Sequence, residues 1–183
     1  MTAPLISAAN ASGIVHRGGV VAYPTEAVYG LGCDPHNPDA VARVLEVKTR
    51  PQDKGLILIA SHLSQLQDWI APLDHVARAR VESTWPGHTT WIVPASDDCP
   101  AQLSGGRDTV AVRVTAHPVS RALCDAVGHA IVSTSANRSG EPAIRDIASL
   151  GRLDGIDAIV EGKLGSATDP SAIYRLSDGA RLR

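Results

Sequence analysis

Asp39-Ala40-Val41-Ala42-Arg43-Val44-Leu45-Glu46-Val47-Lys48, followed after a short break by Leu56-Ile57-Leu58-Ile59-Ala60, decides the fold class. In the first stretch Val41, Val44 and Leu45 fall at i, i+3 and i+4, the helical period. The second is an unbroken apolar run of strand length. The same alternation continues outward. Towards the N-terminus, residues 19–23 read as a buried strand ending at Pro24, and residues 6–16 as a short helix. Towards the C-terminus, Ser61 is placed to cap a helix through Ile70, and a further short helix covers residues 74–82. Strands follow at 89–94 and 109–114, separated by a Gly/Asp/Pro-rich loop with a Gly105-Gly106 turn. Residues 118–127 form a helix closed by Gly128, and 130–133 a strand. A short helix at 145–150, strands at 157–160 and 171–176, and a loop at 162–170 complete the chain. Alternating β and α elements mean an α/β sheet with helices packed on it. Some crossovers lack a helix, so the sheet is expected to be mixed.

Two segments far apart are built to hold a polyanion. In Lys48-Thr49-Arg50-Pro51 two cations stand two residues apart ahead of a proline. The residue before proline is pushed toward extended geometry. In an extended chain residues two apart project to one side, so Lys48 and Arg50 are expected to converge on one anionic group. Lys48 also sits at i+7 on the apolar stripe of its helix. The plain alternative is a helix C-terminus, where the dipole favours cations. The chain has three lysines against fourteen arginines, and Lys48 and Lys54 bracket this turn. Ser133-Thr134-Ser135-Ala136-Asn137-Arg138-Ser139-Gly140 is a run of small hydroxyl and amide side chains, suited to a backbone passing close to a ligand. Its plain alternative is ordinary turn chemistry. Together the two segments suggest a nucleotide triphosphate site that is not a P-loop.

Other segments add to this. Tyr23-Pro24-Thr25-Glu26-Ala27-Val28-Tyr29-Gly30-Leu31-Gly32 leaves a strand through a proline and continues as a turn with two glycines. Such glycines permit close approach to a ligand, or the segment is a plain strand-to-helix connection. Alternation puts Ala111 and Arg113 on one strand face, opposite Val112 and Val114. His117 follows, placed to cap or donate.

The 183 residues read as one domain, 1–183, large enough to bury a core. A net charge of −2 and 3% aromatics argue against an RNA-backbone binder or a base-stacking platform. Cys33, Cys99 and Cys124 form no CxxC pair and read as reduced thiols of a cytoplasmic protein. No apolar run approaches a membrane span, and residues 1–12 lack the form of a signal peptide. GxxxxGK[ST], GxGxxG, HExxH and GxSxG are absent. The seven histidines are scattered in sequence, so no protein-held metal site is indicated.

At these segments the chain resembles the YrdC/TsaC family of L-threonylcarbamoyladenylate synthases. The resemblance is carried by residues 23–32, Lys-Thr-Arg-Pro at 48–51, Trp-Pro-Gly at 85–87, Val-Arg-Val at 112–114 with His117-Pro118, and 133–140. It implies a twisted mixed α/β sheet with a concave basic cavity, in the short form without an added C-terminal domain. It implies an enzyme making threonylcarbamoyl-adenylate and pyrophosphate from L-threonine, bicarbonate and ATP. The product would pass to a separate transferase complex that modifies the adenosine beside the tRNA anticodon. Lys48, Arg50, Ser135 and Asn137 match the family's KxR and SxN signature at the catalytic centre. Arg113 and His117 match a pair near substrate. Ser133 and Ser171 match cavity-lining positions and Arg183 a late basic contact, while Arg145 falls where relatives have Thr and is expected as a nucleotide contact. Thr25, Tyr29 and Lys54 complete the expected binding set. Mg²⁺ would come with ATP, held by its phosphates. The chain departs from the family pattern at Ala27, at Lys54-Gly55-Leu56 and at Ile59. Two readings from other classes are a non-catalytic RNA-binding or ribosome-maturation module with an electropositive groove, and a carbamoyl-transfer or hydrolase domain.

Overall fold

Val21–Pro24 and Tyr29–Gly32 pair antiparallel, with Tyr23 opposite Gly30. Residues 23–32 are therefore a hairpin rather than a strand-to-helix connection. Two of the four residues in the second strand are glycines, which show no apolar alternation. Their reason is packing. A Cβ on Gly30 would stand 3.0 Å from the Tyr23 ring, and one on Gly32 would stand 2.8 Å from it. The tyrosine ring takes the space those side chains would need.

The computed structural model describes residues 3–183; Met1 and Thr2, which open the stretch read for a leader, lie outside the described residues. The strands are β1 (Leu5–Ile6), β2 (Val21–Pro24), β3 (Tyr29–Gly32), β4 (Ile57–Ala60), β5 (Thr89–Pro94), β6 (Thr109–Val114), β7 (Ile131–Ser135), β8 (Ala158–Val160) and β9 (Ala172–Arg175). The helices are α1 (Ala8–His16), α2 (Pro38–Lys48), α3 (His75–Glu82), α4 (Ala101–Ser104), α5 (Pro118–Val127) and α6 (Ile147–Leu150). All nine strands join in the order β1-β8-β2-β3-β7-β4-β6-β5-β9. β8 runs parallel to β1 and β2, β4 to β6, and β5 to β9; the other pairs are antiparallel. The sheet is mixed, as expected.

The helix expected from Ser61 to Ile70 is reduced to a 3₁₀ turn at Leu63–Leu66. The Gln65 side chain accepts from both the backbone N–H and the hydroxyl of Ser61. Ser61 is thus spent on a side-chain-closed turn instead of capping a helix. Ile6, expected to begin a helix, pairs with β8 alongside Leu5, and α4 forms inside the stretch read as loop.

Adjacent strand residues point to opposite faces, and each face has its own core. On one, α1 and α5 bring Ala11, Val15, Leu123 and Val127 against Tyr23, Ile59 and Ile131. On the other, Val41 and Val44 of α2 join Trp69, Trp85, Leu58 and Val112. The register aligns Ile57, Ala111 and Ser133 in one row, and Ile59, Arg113 and Ile131 in the row beside it. α5 covers Ile59 and Ile131. The row at Ile57, Ala111 and Ser133 is left open and becomes the floor of a cavity. Among the described residues no helix is long and apolar enough to cross a membrane.

Candidate active site

The cavity over that open row holds about 330 Å³. Arg50, Lys54, Arg107, Arg113 and Arg183 line it, and no carboxylate does among the described residues. Hydroxyls of Thr25, Ser133, Ser135 and Ser171 add neutral hydrogen-bonding groups to the wall. A cavity with several cations and no anion selects for a polyanion, because each guanidinium pairs oxyanions in a fixed fork.

Lys48 and Arg50 do not converge. Thr49 is a left-handed helix cap at φ 48°, ψ 45°. The proline restricts its own predecessor, Arg50, and leaves Thr49 free to turn. The two cations therefore diverge. Arg50 enters the cavity wall, its Nε donating to the Gly55 carbonyl at 3.1 Å. Lys48 is 2% exposed and turns into the 135–137 loop. Its Nζ donates to the Ser135 carbonyl at 2.6 Å, the Asn137 carbonyl at 3.0 Å and Asn137 Oδ1 at 3.1 Å. Burial, and then the charge of Arg50, push its pKa down to about 8. Asn137 is equally committed: Oδ1 accepts from the Ser135 hydroxyl at 2.6 Å, and Nδ2 donates to the Glu141 carbonyl at 2.6 Å. Of the KxR and SxN signature, Arg50 and Ser135 reach the cavity, while Lys48 and Asn137 hold the loop that presents Ser135.

Arg113 is 5% exposed and anchored from behind. Its Nη1 donates to His88 Nδ1 at 3.0 Å and lies 3.2 Å from Glu26 Oε2. Glu26 Oε1 accepts from the Thr115 hydroxyl at 2.7 Å. Burial works to raise the Glu26 carboxyl, but contacts with His88, Arg113 and Thr115 outweigh it and hold the group well below the usual carboxylate range. His88 is 3.8 Å away, too far for a hydrogen bond, so Arg113 and Thr115 carry most of that effect. Arg113 Nε is buried and has no hydrogen-bond partner among the described residues.

His117 caps α5 as expected, its Nδ1 accepting from the Ser120 N–H at 3.4 Å. Its Nε2 must then be the protonated nitrogen, since it faces the Lys163 carbonyl at 3.1 Å. Burial pushes its pKa down. His117 lies outside the cavity wall. So does Tyr29, whose backbone binds Ile144 and Ala136. Arg145 is also outside: it donates to the carbonyls of Thr168 at 2.9 Å and Ala167 at 3.2 Å. Thr25, Lys54, Ser133, Ser171 and Arg183 do line the cavity. Tyr23 donates to Ser133 Oγ at 2.7 Å, and Arg183 Nη2 to the Ser171 carbonyl at 3.0 Å. Ala27 lines it too, whereas Ile59 faces the α5 core. Sequence reading missed His88 and Arg107. Arg107 follows the Gly105-Gly106 turn, and that turn could have marked it, because the chain reverses there toward Asp53, whose carbonyl accepts from Arg107 at 2.9 Å.

The architecture and the cavity define a class first: a mixed α/β protein with a cation-lined cavity on an open sheet row, fronted by a hydroxyl-rich loop. A family model, Sua5_yciO_yrdC, described as "Telomere recombination", matches residues 13–183. The chain belongs to the Sua5/YciO/YrdC family. It is 53% identical to a protein of Halorhodospira halophila named threonylcarbamoyl-AMP synthase, over 95% of this chain and 92% of that one. A protein of the same name from Thiobacillus denitrificans is 48% identical, covering 92% of this chain and 90% of that one. Among solved structures it resembles P. abyssi Sua5 complexed with L-threonine, at 29% identity and a TM-score of 0.89. That match covers 99% of this chain but 56% of the longer Sua5. E. coli YciO matches at 28% identity and a TM-score of 0.82, over 99% of this chain and 92% of that one.

Proposed function

We propose that this chain is an L-threonylcarbamoyladenylate synthase of the cytoplasm. It joins L-threonine, bicarbonate and ATP into threonylcarbamoyl-AMP and pyrophosphate, for handing to the complex that modifies tRNA beside the anticodon. The observation that carries this reading is the cavity wall with five cations and no carboxylate. The names of the relatives and the threonine held by P. abyssi Sua5 support it.

The chemistry runs in two stages. The threonine amine attacks the carbon of CO₂, or of bicarbonate with loss of water, and leaves a carbamate. A carbamate oxygen then attacks the α-phosphorus as the bond to the pyrophosphate oxygen breaks. The barrier is chiefly the gathering of carboxylate, carbamate and triphosphate in one place. Arg50, Lys54 and Arg113 offset that repulsion and the charge growing on pyrophosphate. The unpaired Arg113 Nε is available to a carboxylate or phosphate oxygen. Ser133 and Ser135 orient oxyanions, and holding the reactants in line removes much of the remaining entropic cost. Mg²⁺ would accompany ATP, coordinated mainly by its phosphate oxygens and water.

The test is mass detection of the adenylate from ATP, threonine and bicarbonate without RNA. The wild-type chain should form it and release pyrophosphate, with no product when threonine is omitted. Arg50→Ala and Arg113→Lys should each lose on the order of 10²-fold in rate. Salt-sensitive RNA binding with no adenylate would overturn the reading in favour of an RNA-binding module. Turnover without threonine would favour a carbamoyl-transfer or hydrolase domain.

A further inference from the structure

Histidines scattered in sequence meet at the end of the sheet remote from the cavity. Asp34 and His36 lie in the loop between β3 and α2. His129 lies between α5 and β7, just after the left-handed cap Gly128. One ligand atom from each of the three falls within 4.8 Å of the others. β7 separates this cluster from the cavity: His129 precedes its first residue, and Ser135 ends it. Four steps of extended chain from His129 to Ser133, the first residue of β7 on the cavity floor, place the two sites about 13 Å apart.

The hydrogen bonds give His129 the form a metal requires, and His36 reaches it by moving one proton. The Ala130 carbonyl, 2.7 Å from His129 Nδ1, can only accept. The proton of the neutral ring is thus on Nδ1, and the Nε2 lone pair faces Asp34 Oδ1 at 3.7 Å. Two acceptors confront each other across that gap, an arrangement a bound cation converts into attraction. His36 Nδ1 lies 3.0 Å from the same Oδ1, and its Nε2 lies 3.5 Å from Asp68 Oδ2. His36 Nδ1 donates to Asp34 here; moving that proton to Nε2 frees Nδ1 for a metal and turns the Nε2–H toward the Asp68 carboxylate. Ligating histidines characteristically donate their second N–H to a carbonyl or carboxylate; His129 donates to the Ala130 carbonyl, and Asp68 stands 3.5 Å from His36 Nε2. The His36 ring also packs on Trp69 at 4.5 Å between centroids. The Asp34 side chain is 17% exposed, His129 24% and His36 44%, so an ion reaches the cluster from solvent.

We propose that Asp34, His36 and His129 form a binding site for a divalent first-row transition-metal ion, clamping the β3–α2 loop to the α5–β7 loop. Two imidazoles and one carboxylate suit Zn²⁺ rather than Mg²⁺ or Ca²⁺. Water takes the fourth position of a tetrahedral site. Cys33, the neighbour of Asp34, is fully buried and contributes nothing.

The experiment is titration of the metal-free full chain with Zn²⁺ by calorimetry, and with Co²⁺ by visible absorption. One equivalent should bind, with the strong visible bands of four-coordinate Co²⁺, and Zn²⁺ should raise the melting temperature. Asp34→Asn and His36→Ala should each weaken binding about tenfold or more. His36 is the most exposed of the three, so His36→Ala carries the test should Asp34→Asn disturb its loop. Failure to bind one equivalent, or binding left unchanged by His36→Ala, overturns the proposal. Neither readout depends on turnover, so the outcome is independent of the proposed activity.

Discussion

Lys48 shows how one side chain can matter to a site without lining it. Its ammonium saturates three oxygens of the 135–137 loop. Lys48→Met keeps the buried stem but leaves those acceptors without a donor. It should cost on the order of 1–3 kcal/mol in stability and roughly 10²-fold in the rate of adenylate formation. With its pKa lowered to about 8, the wild-type lysine loses its third N–H as pH rises through that value. Activity should fall there, and Lys48→Met should lack that basic limb; a limb that persists in the variant would assign it to another group. Glu26 gives the acid counterpart. Folded, its carboxyl stays ionised well below its ordinary value of 4.5. The unfolded chain takes up the proton first, so the stability Glu26 contributes is present above about pH 4.5 and drains away below it. Urea midpoints measured from about pH 6 to about pH 3 should fall more steeply in the wild type than in Glu26→Gln; identical slopes would remove Glu26 as the cause. Both residues lie in segments singled out from sequence, and so do Asn137 and Arg113, but the direct pairing of these side chains was not legible. Lys48 meets Asn137, and Glu26 meets Thr115, through pairings some 89 residues apart, which no local pattern reports.

Among the elements, α2, α3, α5 and most strands were legible because their apolar period survives in the sequence. Where the reading failed, a side chain or a missing one had replaced the pattern. Gly30 and Gly32 hide β3 because the Tyr23 ring fills their places. Gln65 closes a turn on Ser61 where a helix was expected. Thr49 turns a pair of cations expected to converge into one that diverges, and it does so in a conformation that costs a β-branched residue roughly 1 kcal/mol or more. Thr49→Gly should therefore raise the unfolding free energy by about 0.5–1 kcal/mol. It should leave adenylate formation intact, since the direction of the chain is unchanged. Chemical denaturation decides this: a destabilised variant would mean that the hydroxyl contact with the Lys48 carbonyl outweighs the strain.

At the scale of the whole molecule the cavity is assembled from strands at the middle of the sheet and from chain near the C-terminus. The loop 162–170 is what joins them. Gly165 N–H donates to the Thr25 carbonyl at 2.9 Å and Ala167 N–H to that of Glu26 at 3.0 Å. A Cβ on Gly165 would stand 2.7 Å from the Glu26 carbonyl oxygen, so this approach requires glycine. The loop leads to Ser171, which lines the cavity and is held by Thr90 and Arg183. Arg145, expected from sequence as a nucleotide contact, ties down the carbonyls of Ala167 and Thr168. Its expected role is positional: it keeps the Thr25 and Ser171 walls at a fixed separation. Arg145→Ala removes two charge-assisted hydrogen bonds at an exposed site, where solvent screening leaves them worth about 1–2 kcal/mol to the closed loop. Amide exchange at Gly165 and Ala167 should then accelerate on the order of ten- to a hundredfold, while the amides of β4 and β7 stay protected. Loosening the wall should raise KM for the substrates more than it lowers kcat, because the chemistry proposed for Arg50 and Arg113 is untouched. A direct nucleotide contact would give the opposite pattern, with loop exchange unchanged and weakening confined to ATP. The two measurements together distinguish a residue that binds the substrate from one that holds the wall the substrate binds to.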